Sequence, residues 1–382
     1  MTRHRIIVIV MLFSAIGLLS SCSKKMSTDE PLPPVYYPSV IISSDNQFVY
    51  SFDPYNGFKH WEYNVGDAVV ASPMVYNEMV YISTLNGVIF KLNSKTGALV
   101  TKFSLTAHPY QLLATPIADG KLIYFGATND TLYAVDTGTG SVSWKFRATD
   151  QIQSSPTIHN GQVIVASHDG KVYSMDEITG TLKWTFTSTD SFYSSPAVTD
   201  SFVYIGGLAG TMYELRVSDG AIRWKYPATG NIGAIRSSPT IYGGNCIFGS
   251  NDYFVYCVDT QSGAARWIDS THDRVIASPC ADVNNQLVIA ASYDYNVYAY
   301  NIINGSIKWV LPNPNGNIFK CSPLIYAGIV FIGDYQGYFY AIDSYTGEIR
   351  WRQNVGGVVE CSPVIDNLTG ISYNSSISGY SN

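Results

Sequence analysis

Charge is scarce in this sequence. Only 14% of the 382 residues are charged, whereas globular domains usually contain about 25%. The net charge is −6, and loss of the first 21 residues, which contain Arg3 and Arg5 but no acid, would make it −8. Because nucleic acid binding depends on clustered Lys and Arg that neutralise phosphates, an acidic chain without a basic run argues against a nucleic acid partner.

Long apolar runs are also missing, with one short exception at the amino terminus. The run from Ile6 to Leu19 covers 14 positions, fewer than the roughly 20 that a membrane-spanning helix needs. Two arginines precede this run and small residues follow it, which is the pattern of a secretory signal peptide. Residues 1–21 are therefore predicted to be a signal peptide.

The signal ends in Leu19-Ser20-Ser21-Cys22, and this stretch resembles the lipobox of bacterial lipoproteins. The resemblance implies cleavage before Cys22 and lipidation of its sulfur and its new amino group. An ordinary secretory signal followed by a free cysteine is the alternative. Several acyl chains would hold the protein stably on a bilayer. Ser23 after the lipidated residue resembles the pattern that sends lipoproteins to the outer membrane, where the protein would face the periplasm.

Residues 22–39 link this anchor to the rest of the chain. They are rich in Ser, Lys, Asp and Pro, a composition that cannot build a hydrophobic core. We therefore expect a flexible tether over 22–39. Residues 40–382 are predicted to form one domain.

A hairpin motif recurs eight times in this domain. Its clearest copy is Phe339–Trp351, FYAIDSYTGEIRW, which predicts a strand ending at Asp343, a turn closed by Gly347 and a second strand with Trp351. Each of the seven tryptophans marks one copy: Trp61, Trp144, Trp184, Trp224, Trp267, Trp309 and Trp351. The eighth copy has Thr101 at the tryptophan position. A period near 40 residues with several short strands is typical of a β-propeller.

A second marker repeats in the same way and defines four strands in each unit. A proline preceded by a small residue occurs once in each unit: Pro73, Pro116, Pro156, Pro196, Pro239, Pro279, Pro323 and Pro363. We name the strands A (after the proline), B, C and D (around the tryptophan). The sequence thus predicts an all-β, eight-bladed propeller of four-stranded antiparallel blades.

The order of the strands also predicts how the propeller closes. The first unit begins with strand B at Val40–Ser44, and a last strand A at Ser362–Ile365 can complete it, which removes two exposed sheet edges. Ile371–Ser376 resembles a further strand B that would compete with Val40–Ser44. We expect an extra or frayed segment there, and the role of 370–382 stays open. The propeller is expected to be monomeric.

The repeated pattern A-x-D-x-x-T-G-x-x-x-W resembles the tryptophan-docking motif of the pyrroloquinoline-quinone (PQQ)-like β-propeller family, over about 340 residues. The resemblance implies that each tryptophan packs between neighbouring blades, where burial of about 150–250 Å² per ring stabilises the contact. A docking glycine lets the ring approach bare backbone. These glycines are Gly140, Gly180, Gly220, Gly263, Gly305 and Gly347. Blade two, with Lys91 and Thr101, and blade five, with Glu214 and Arg216, depart most from the pattern.

Residues that could support catalysis are few. Apart from Cys22, the cysteines lie at positions where other repeats have small or apolar residues, and they are predicted to be core residues. The histidines have no metal-ligand spacing and are interpreted as solvated loop residues. The aspartates that end strand C recur in most blades, which indicates turn capping. No catalytic residue and no metal site are predicted.

The family resemblance raises the question of a quinoprotein. PQQ-dependent alcohol dehydrogenases of this family typically carry two adjacent cysteines beside the cofactor, a tryptophan under its plane, and Asp, Asn or Glu ligands for Ca²⁺. Here no two cysteines are adjacent, and every tryptophan occupies a blade position. We therefore expect neither PQQ nor calcium, and no enzymatic activity.

The face that carries the B–C hairpins and D–A connections is the remaining place for function. The D–A connections that contain residues 108–111, 231–236 and 315–320 are longer than the others. Exposed aromatic residues next to charges would suit a protein-binding patch, although they could also only plug the channel mouth. The candidate partner-binding residues are Tyr110, Phe192, Tyr193, Ile232, Ile235, Arg236, Tyr253, Tyr293, Tyr295, Phe319, Lys320, Tyr335 and Glu360.

Chain size, lipobox, short tether and eight repeats together resemble the propeller lipoproteins of the outer-membrane β-barrel assembly machinery. The resemblance implies a non-catalytic, membrane-anchored scaffold that binds a protein partner, with an assembly barrel as the expected candidate. A ligand-binding or sensory propeller, for a carbohydrate or a peptide, is the first alternative. A PQQ-dependent dehydrogenase-like quinoprotein is the second.

Overall fold

Short antiparallel strands provide all regular secondary structure in the computed structural model, which describes residues 37–105 and 110–367 and the backbone of 372–374. The predicted signal peptide, Cys22 and most of the predicted tether lie outside the described residues, as do His108 and Pro109. Strands B are buried along their whole length, as in Ser39–Ser43, or at every residue after the first, as in Met79–Ser83, because a neighbouring blade covers each face of the sheet. Strands D alternate between exposed and less exposed residues, as in Lys59–Asn64.

In chain order the strands are β1 (Ser39–Ser43), β2 (Phe48–Phe52), β3 (Lys59–Asn64), β4 (Met74–Tyr76), β5 (Met79–Ser83), β6 (Val88–Asn93), β7 (Leu99–Ser104), β8 (Ile117–Asp119), β9 (Leu122–Gly126), β10 (Thr131–Asp136), β11 (Val142–Arg147), β12 (Thr157–His159), β13 (Gln162–Ala166), β14 (Lys171–Asp176), β15 (Leu182–Thr187), β16 (Ala197–Val198), β17 (Phe202–Gly206), β18 (Met212–Arg216), β19 (Ile222–Tyr226), β20 (Thr240–Tyr242), β21 (Asn245–Gly249), β22 (Phe254–Asp259), β23 (Ala265–Ser270), β24 (Cys280–Asp282), β25 (Leu287–Ala291), β26 (Asn296–Asn301), β27 (Ile307–Pro312), β28 (Leu324–Tyr326), β29 (Ile329–Gly333), β30 (Tyr338–Asp343), β31 (Ile349–Asn354), β32 (Val364–Asp366) and β33 (Ser372–Asn374).

These strands form eight separate antiparallel sheets in which strands A, B, C and D lie side by side in that order, as in β12-β13-β14-β15, and strand A of blade one is β32. Seven sheets have four strands and the first has five. The predicted fold, an eight-bladed all-β propeller, is confirmed. In each blade a short turn joins strand C to strand D. The pairing of these two strands shifts by one residue at a β-bulge, directly after the strand C residue that lies opposite the tryptophan position.

The first blade joins the two ends of the propeller. Strand β32 pairs with β1, with Val40 opposite Ile365 and Ile41 opposite Val364. The predicted closure by the last strand A is therefore confirmed. The segment after it does not compete with Val40–Ser44, because β33 pairs with the other edge of β32, and the expected extra segment is confirmed for Ser372–Asn374. It adds a fifth strand to blade one, on the side of β32 that faces away from β1.

A ring of hydroxyl groups joins the innermost segments of neighbouring blades. At six joints between blades in the described part of the chain, the residue before the proline accepts a hydrogen bond from the backbone N–H of its counterpart in the adjacent blade, for example Ser155 N–H to Ser195 Oγ at 2.8 Å. Six such bonds occur: Thr115–Ser155, Ser155–Ser195, Ser195–Ser238, Ser238–Ser278, Ser278–Ser322 and Ser362–Ser72. A small hydroxyl residue at this position therefore links one blade to the next.

Each tryptophan lies over a glycine in the C–D turn of the next blade. A Cβ built on that glycine would come within 2.5–2.8 Å of the indole, so the contact requires glycine. The pairs are Trp61–Gly97, Trp144–Gly180, Trp184–Gly220, Trp224–Gly263, Trp267–Gly305, Trp309–Gly347 and Trp351–Gly57. Each indole Nε1–H also donates to a backbone carbonyl of that turn, at 2.7–3.1 Å. The apolar contact and the hydrogen bond together fix the angle between the blades.

Blade two makes the same contact with different residues. Thr101 pairs with Lys91, so it does occupy the tryptophan register. The ring that lies against the docking glycine belongs to Phe103, at 3.0 Å from a Cβ built on Gly140. The Lys91 ammonium donates to the Thr137 carbonyl at 2.8 Å, where an indole N–H donates in the other blades. Phe103 thus supplies the apolar contact and Lys91 the hydrogen bond that a single tryptophan supplies in the other blades.

Blade five also departs from the pattern without losing its contact. Glu214 has a fully buried side chain and pairs with the Arg223 guanidinium at 3.2 Å. Arg223 also donates to the Thr260 and Gln261 carbonyls of the next blade, at 3.3 and 3.2 Å. Burial raises the pKa of Glu214, and Arg223 opposes that rise. The ion pair therefore reaches across the joint between blades five and six.

The described cysteines are structural. Cys321 and Cys361 accept hydrogen bonds from the Gly333 and Ser43 N–H groups, at 2.9 and 3.1 Å. Serines make this bond in three other blades: Ser154, Ser194 and Ser237. Burial raises the pKa of the Cys361 thiol to about 11 and that of Cys257 to about 12. These thiols therefore stay protonated and unreactive at neutral pH.

Candidate partner-binding face

The B–C hairpins and the D–A connections lie on one side of the propeller, which we call the loop face. A backbone N–H of each hairpin donates to a carbonyl of the preceding connection, for example His168 to Gln151 at 3.0 Å and Tyr293 to Arg274 at 2.9 Å. The opposite side carries the A–B and C–D turns, and we call it the turn face.

Acidic side chains on the loop face hold the loops in place. In four blades a hairpin aspartate accepts a hydrogen bond from a tyrosine hydroxyl of strand C, at 2.6–2.8 Å: Asp169–Tyr173, Asp252–Tyr256, Asp294–Tyr298 and Asp334–Tyr340. Burial works against ionisation of Asp169, but hydrogen bonds from Tyr173 and Thr149 lower its pKa overall. These carboxylates therefore hold the hairpins against strand C.

Cationic side chains lie over tyrosine rings along one half of this face. The distances from cation to ring centre are 5.2 Å for Arg236 over Tyr193, 5.0 Å for Arg274 over Tyr293 and 5.7 Å for Lys320 over Tyr335. We call these six residues the cationic belt. It spans the connections and hairpins from blade four to blade eight. Cation–π contacts at such distances hold both side chains in place.

The belt is continuous across blades seven and eight. Burial raises the pKa of Tyr293, while Lys320 and Arg274 both lower it, so two cations lie close to one ring. Lys320 also pairs with Glu360 at 2.6 Å, which brings blade one into contact with the belt. Tyr193 and Tyr335 remain 37% and 47% exposed. Aromatic surface is therefore available between fixed positive charges.

Two further tyrosines stand at the tips of adjacent hairpins. Tyr253 and Tyr295 are about half exposed, at 48% and 49%, and their φ angles are +79° and +73°. Four blades have glycine at this hairpin position: Gly87, Gly170, Gly210 and Gly337. A bulky residue in the left-handed region costs free energy. Blades one and three have Gln47 and Asp130 there, also with positive φ, so blades six and seven differ from the other described hairpins in placing an exposed aromatic ring at this position.

Three of the predicted face residues are in the core instead. Phe192, Ile235 and Phe319 are fully buried, so the prediction that they belong to the surface was wrong. Each is the fourth residue before a Ser-Pro proline, and this position is buried in every blade: Val69, Leu112, Ile152, Phe192, Ile235, Val275, Phe319 and Val359. The residue that follows, such as Tyr193, Arg236 or Lys320, lies at the surface. The spacing from the proline was the signal that would have separated the two sets.

The structure places the other candidates at or near the surface. Tyr110 is 38% exposed, while Ile232 and Glu360 are half-buried. Arg274 was not predicted, because no repeat marker singles it out.

His168 differs from the expected solvated histidine, since its ring lies 5.9 Å from that of Tyr193 and its Nε2 is buried without a hydrogen-bond partner. Burial lowers the pKa of His168, so it is neutral at pH 7.

The residues of this chain do not fit a PQQ site of the dehydrogenase type. All seven indoles are held between blades by the Nε1 hydrogen bonds described above, and none is left to stack under a cofactor. The five described cysteines are free, and no two are adjacent in sequence. In residues 37–105 and 110–367, no three His, Cys, Asp or Glu side chains gather in a way that could hold a metal ion. The same ranges contain no helix long and apolar enough to cross a membrane.

Comparison with known proteins identifies the family and the fold. Residues 20–115, 87–310 and 243–357 match the family described as outer membrane protein assembly factor BamB. No curated protein matches the sequence.

Solved structures with the same fold include an assembly factor, a designed protein and a dehydrogenase. BamB from Moraxella catarrhalis is 17% identical, with a TM-score of 0.67 over 79% of this chain and 95% of that one. The computationally designed protein Ika8 is also 17% identical, with a TM-score of 0.69 over 81% and 96%. A europium-containing methanol dehydrogenase is 13% identical, with a TM-score of 0.66 over 80% and 83%. At these identities the likeness establishes the fold alone.

Proposed function

Because the chain belongs to the family of outer membrane protein assembly factor BamB, we propose that it is a non-catalytic scaffold in outer-membrane protein assembly. It is anchored to the outer membrane through a lipid on Cys22 and faces the periplasm. Its propeller is monomeric and uses neither PQQ nor calcium. The loop face binds the protein partner, which is an outer-membrane assembly barrel or a segment of one.

The cationic belt is the observation that carries this proposal. The chain has a net charge of −6, yet Arg236, Arg274 and Lys320 gather on one half of one face, each against a tyrosine. Protein-binding surfaces are enriched in Tyr and Arg. Arg274 and Lys320 also pair with Asp273 and Glu360, at 3.6 and 2.6 Å, and cations held in this way can steer a complementary acidic surface into register. The arrangement suits a partner whose contact segment carries carboxylates and exposed backbone carbonyls.

Charge reversal of the belt should release the partner. We expect the triple variant Arg236→Glu, Arg274→Glu, Lys320→Glu to lower recovery of the assembly barrel by about tenfold or more, since each repulsive pair weakens a complementary interface. The measurement is affinity capture of the tagged, lipidated protein from membranes in mild detergent. Wild-type capture should also fall as salt is raised, because rim charges are screened.

The matched control changes the same amount of charge elsewhere. Lys102, Lys183 and Lys225 are exposed on strands D, and their triple replacement by Glu should leave capture unchanged. Equal loss in both triples would mean that net charge, and not the belt, decides binding. Failure of the wild-type protein to recover any assembly barrel would contradict the scaffold proposal. Reduction of a dye after addition of PQQ and Ca²⁺ would instead support a quinoprotein.

The two strained tyrosines allow a second test. Replacing Tyr253 and Tyr295 by Gly relieves the left-handed backbone but increases the entropy of the unfolded chain. We expect the free energy of unfolding to stay within about 1 kcal/mol of wild type or to rise, while barrel capture falls. Urea unfolding and the same capture assay measure the two quantities. A less stable protein with unchanged capture would show that these rings serve packing instead.

A further inference from the structure

Exposed apolar side chains form an arc on the turn face. The residue two positions after Asp53, or after its equivalent in another blade, is polar or glycine in blades two, three, five and six. It is the exposed Ile178 in blade four, and it is apolar or aromatic in the three consecutive blades seven, eight and one. These three residues, Ile303, Tyr345 and Tyr55, are 67%, 54% and 52% exposed. Phe58, three residues after Tyr55, is 68% exposed. We call these four residues the apolar arc.

Contacts between blades make the arc continuous. Lys308 of blade seven lies over the Tyr345 ring of blade eight, with its ammonium 4.5 Å from the ring centre. Trp351 of blade eight donates to the Pro54 carbonyl, next to Tyr55, at 3.1 Å. The same inter-blade contacts that hold the propeller together therefore bring the four side chains onto one side of the rim.

The chain enters the propeller at this arc. Strand β1 begins at Ser39 on the turn face, and the Ser39 hydroxyl bonds to His60 Nδ1 at 3.0 Å. The His60 ring lies 6.1 Å from the Phe58 ring, and Tyr37 is 59% exposed. The segment that precedes β1 is thus attached beside Phe58 and not on the loop face.

The length of that segment limits how far the arc can be from a lipid on Cys22. Residues 23–38 are 16 in number, and a flexible chain of this length has a root-mean-square span of about 20–24 Å. Strands of five or six residues separate the two faces by about 17–20 Å more. A lipid on Cys22 would therefore lie closer, on average, to the turn face than to the cationic belt.

We propose that the apolar arc rests on the lipid surface and turns the loop face toward the aqueous side. This inference rests on the lipid anchor in the proposed function. Tyrosine and phenylalanine favour the membrane–water interface, where an aromatic ring meets both acyl chains and head groups. Lys308 beside Tyr345 adds an ammonium group that can reach lipid phosphates, whereas Lys59 beside Phe58 is paired with Glu62. The tether then supplies proximity, while the arc fixes orientation.

Quenching of a new tryptophan tests the contact directly. The full-length, lipidated Phe58→Trp variant is reconstituted into phosphatidylethanolamine–phosphatidylglycerol vesicles that contain acyl-brominated lipid. We expect the added emission, relative to wild type, to fall about twofold, since interfacial side chains enter roughly 5–10 Å into the head-group and acyl boundary. The control is Tyr253→Trp, at a 48% exposed site on the loop face, which should not be quenched.

The outcomes separate the arc from the anchor. Quenching at position 58 but not at position 253 supports the proposed orientation. Lipidated protein that floats with the vesicles but shows no quenching at position 58 overturns the arc and leaves the anchor intact. Emission at position 58 that changes only with protein concentration would assign the arc to a second copy of the chain and overturn the lipid contact. Protein that carries no acyl chain, or a Cys22→Ser variant that stays with membranes, overturns the anchor and with it the arc.

Discussion

Replacement of Trp267 by Ala should lower the free energy of unfolding by about 3–5 kcal/mol, the usual cost of removing a large buried aromatic side chain. The indole is 8% exposed, lies against Gly305 and stacks on Tyr300 with ring centres 5.8 Å apart. Its Nε1–H donates to the Ile302 carbonyl at 3.0 Å, and alanine leaves that acceptor without this partner. Urea unfolding followed by tryptophan fluorescence and circular dichroism measures the change.

Blade two offers the matched comparison. Phe103 fills the same place against Gly140, but its ring is only half-buried and the hydrogen bond to the next blade comes from Lys91. We therefore expect Phe103→Ala to cost less, about 1–2 kcal/mol. Trp267→Phe should fall between the two, because it keeps the apolar contact and loses the bond. If Phe103→Ala lowered the free energy of unfolding as much as Trp267→Ala does, the hydrogen bond and the depth of burial would not explain how strongly the docked ring stabilises the contact between blades.

Removal of the closing strand should have the other large effect. A chain that ends at Pro363 lacks β32, whereas a chain that ends at Asn367 keeps it and lacks only β33. Val364 and Ile365 are fully buried, and each contributes about 1.5–3 kcal/mol. Their loss also exposes the inner edge of β1, which is open to pairing with other chains. We expect the shorter protein to lose about 3–6 kcal/mol and to aggregate.

The longer truncation should behave like the full-length protein. Blade one then has four strands, as the other blades have, and all pairs between β1 and β32 remain. Thermal unfolding and size-exclusion chromatography compare the two proteins, which differ by four residues. Equal destabilisation of both would mean that β33 is required for closure. A stable monomer that ends at Pro363 would contradict the role given to β32.

Some features of the fold follow from residue types at fixed spacing. Trp351 and its six equivalents, the glycines beneath them and the residues before the eight prolines recur every 40 or so positions. Such spacing is local information, since each repeat must bury the same faces against its neighbours. The count of blades and the pairing of the last strand A with β1 could therefore be predicted. The replacement of the missing tryptophan in blade two by Phe103 and Lys91 could not be predicted, because it depends on how close these side chains come to the next blade.

The surface depended much more on the structure. Phe192 and Tyr193 are neighbours in sequence, yet one is fully buried and the other is 37% exposed. The meeting of Arg274 with Tyr293, or of Lys320 with Glu360 from the next blade, involves loops that are far apart in the chain or belong to different repeats. The same holds for the apolar arc, whose members come from blades seven, eight and one.

The sequence by itself determined the number of blades, the docking residues and the order of the strands, because these depend on a periodic pattern that each repeat carries within itself. Only the tertiary structure decided which loop side chains point outward, which cations lie over which tyrosines, and where the first strand leaves the propeller. Those properties arise when eight similar units are closed into a ring. Closure brings residues of different repeats together, and side-chain direction at a loop depends on the packing beneath it.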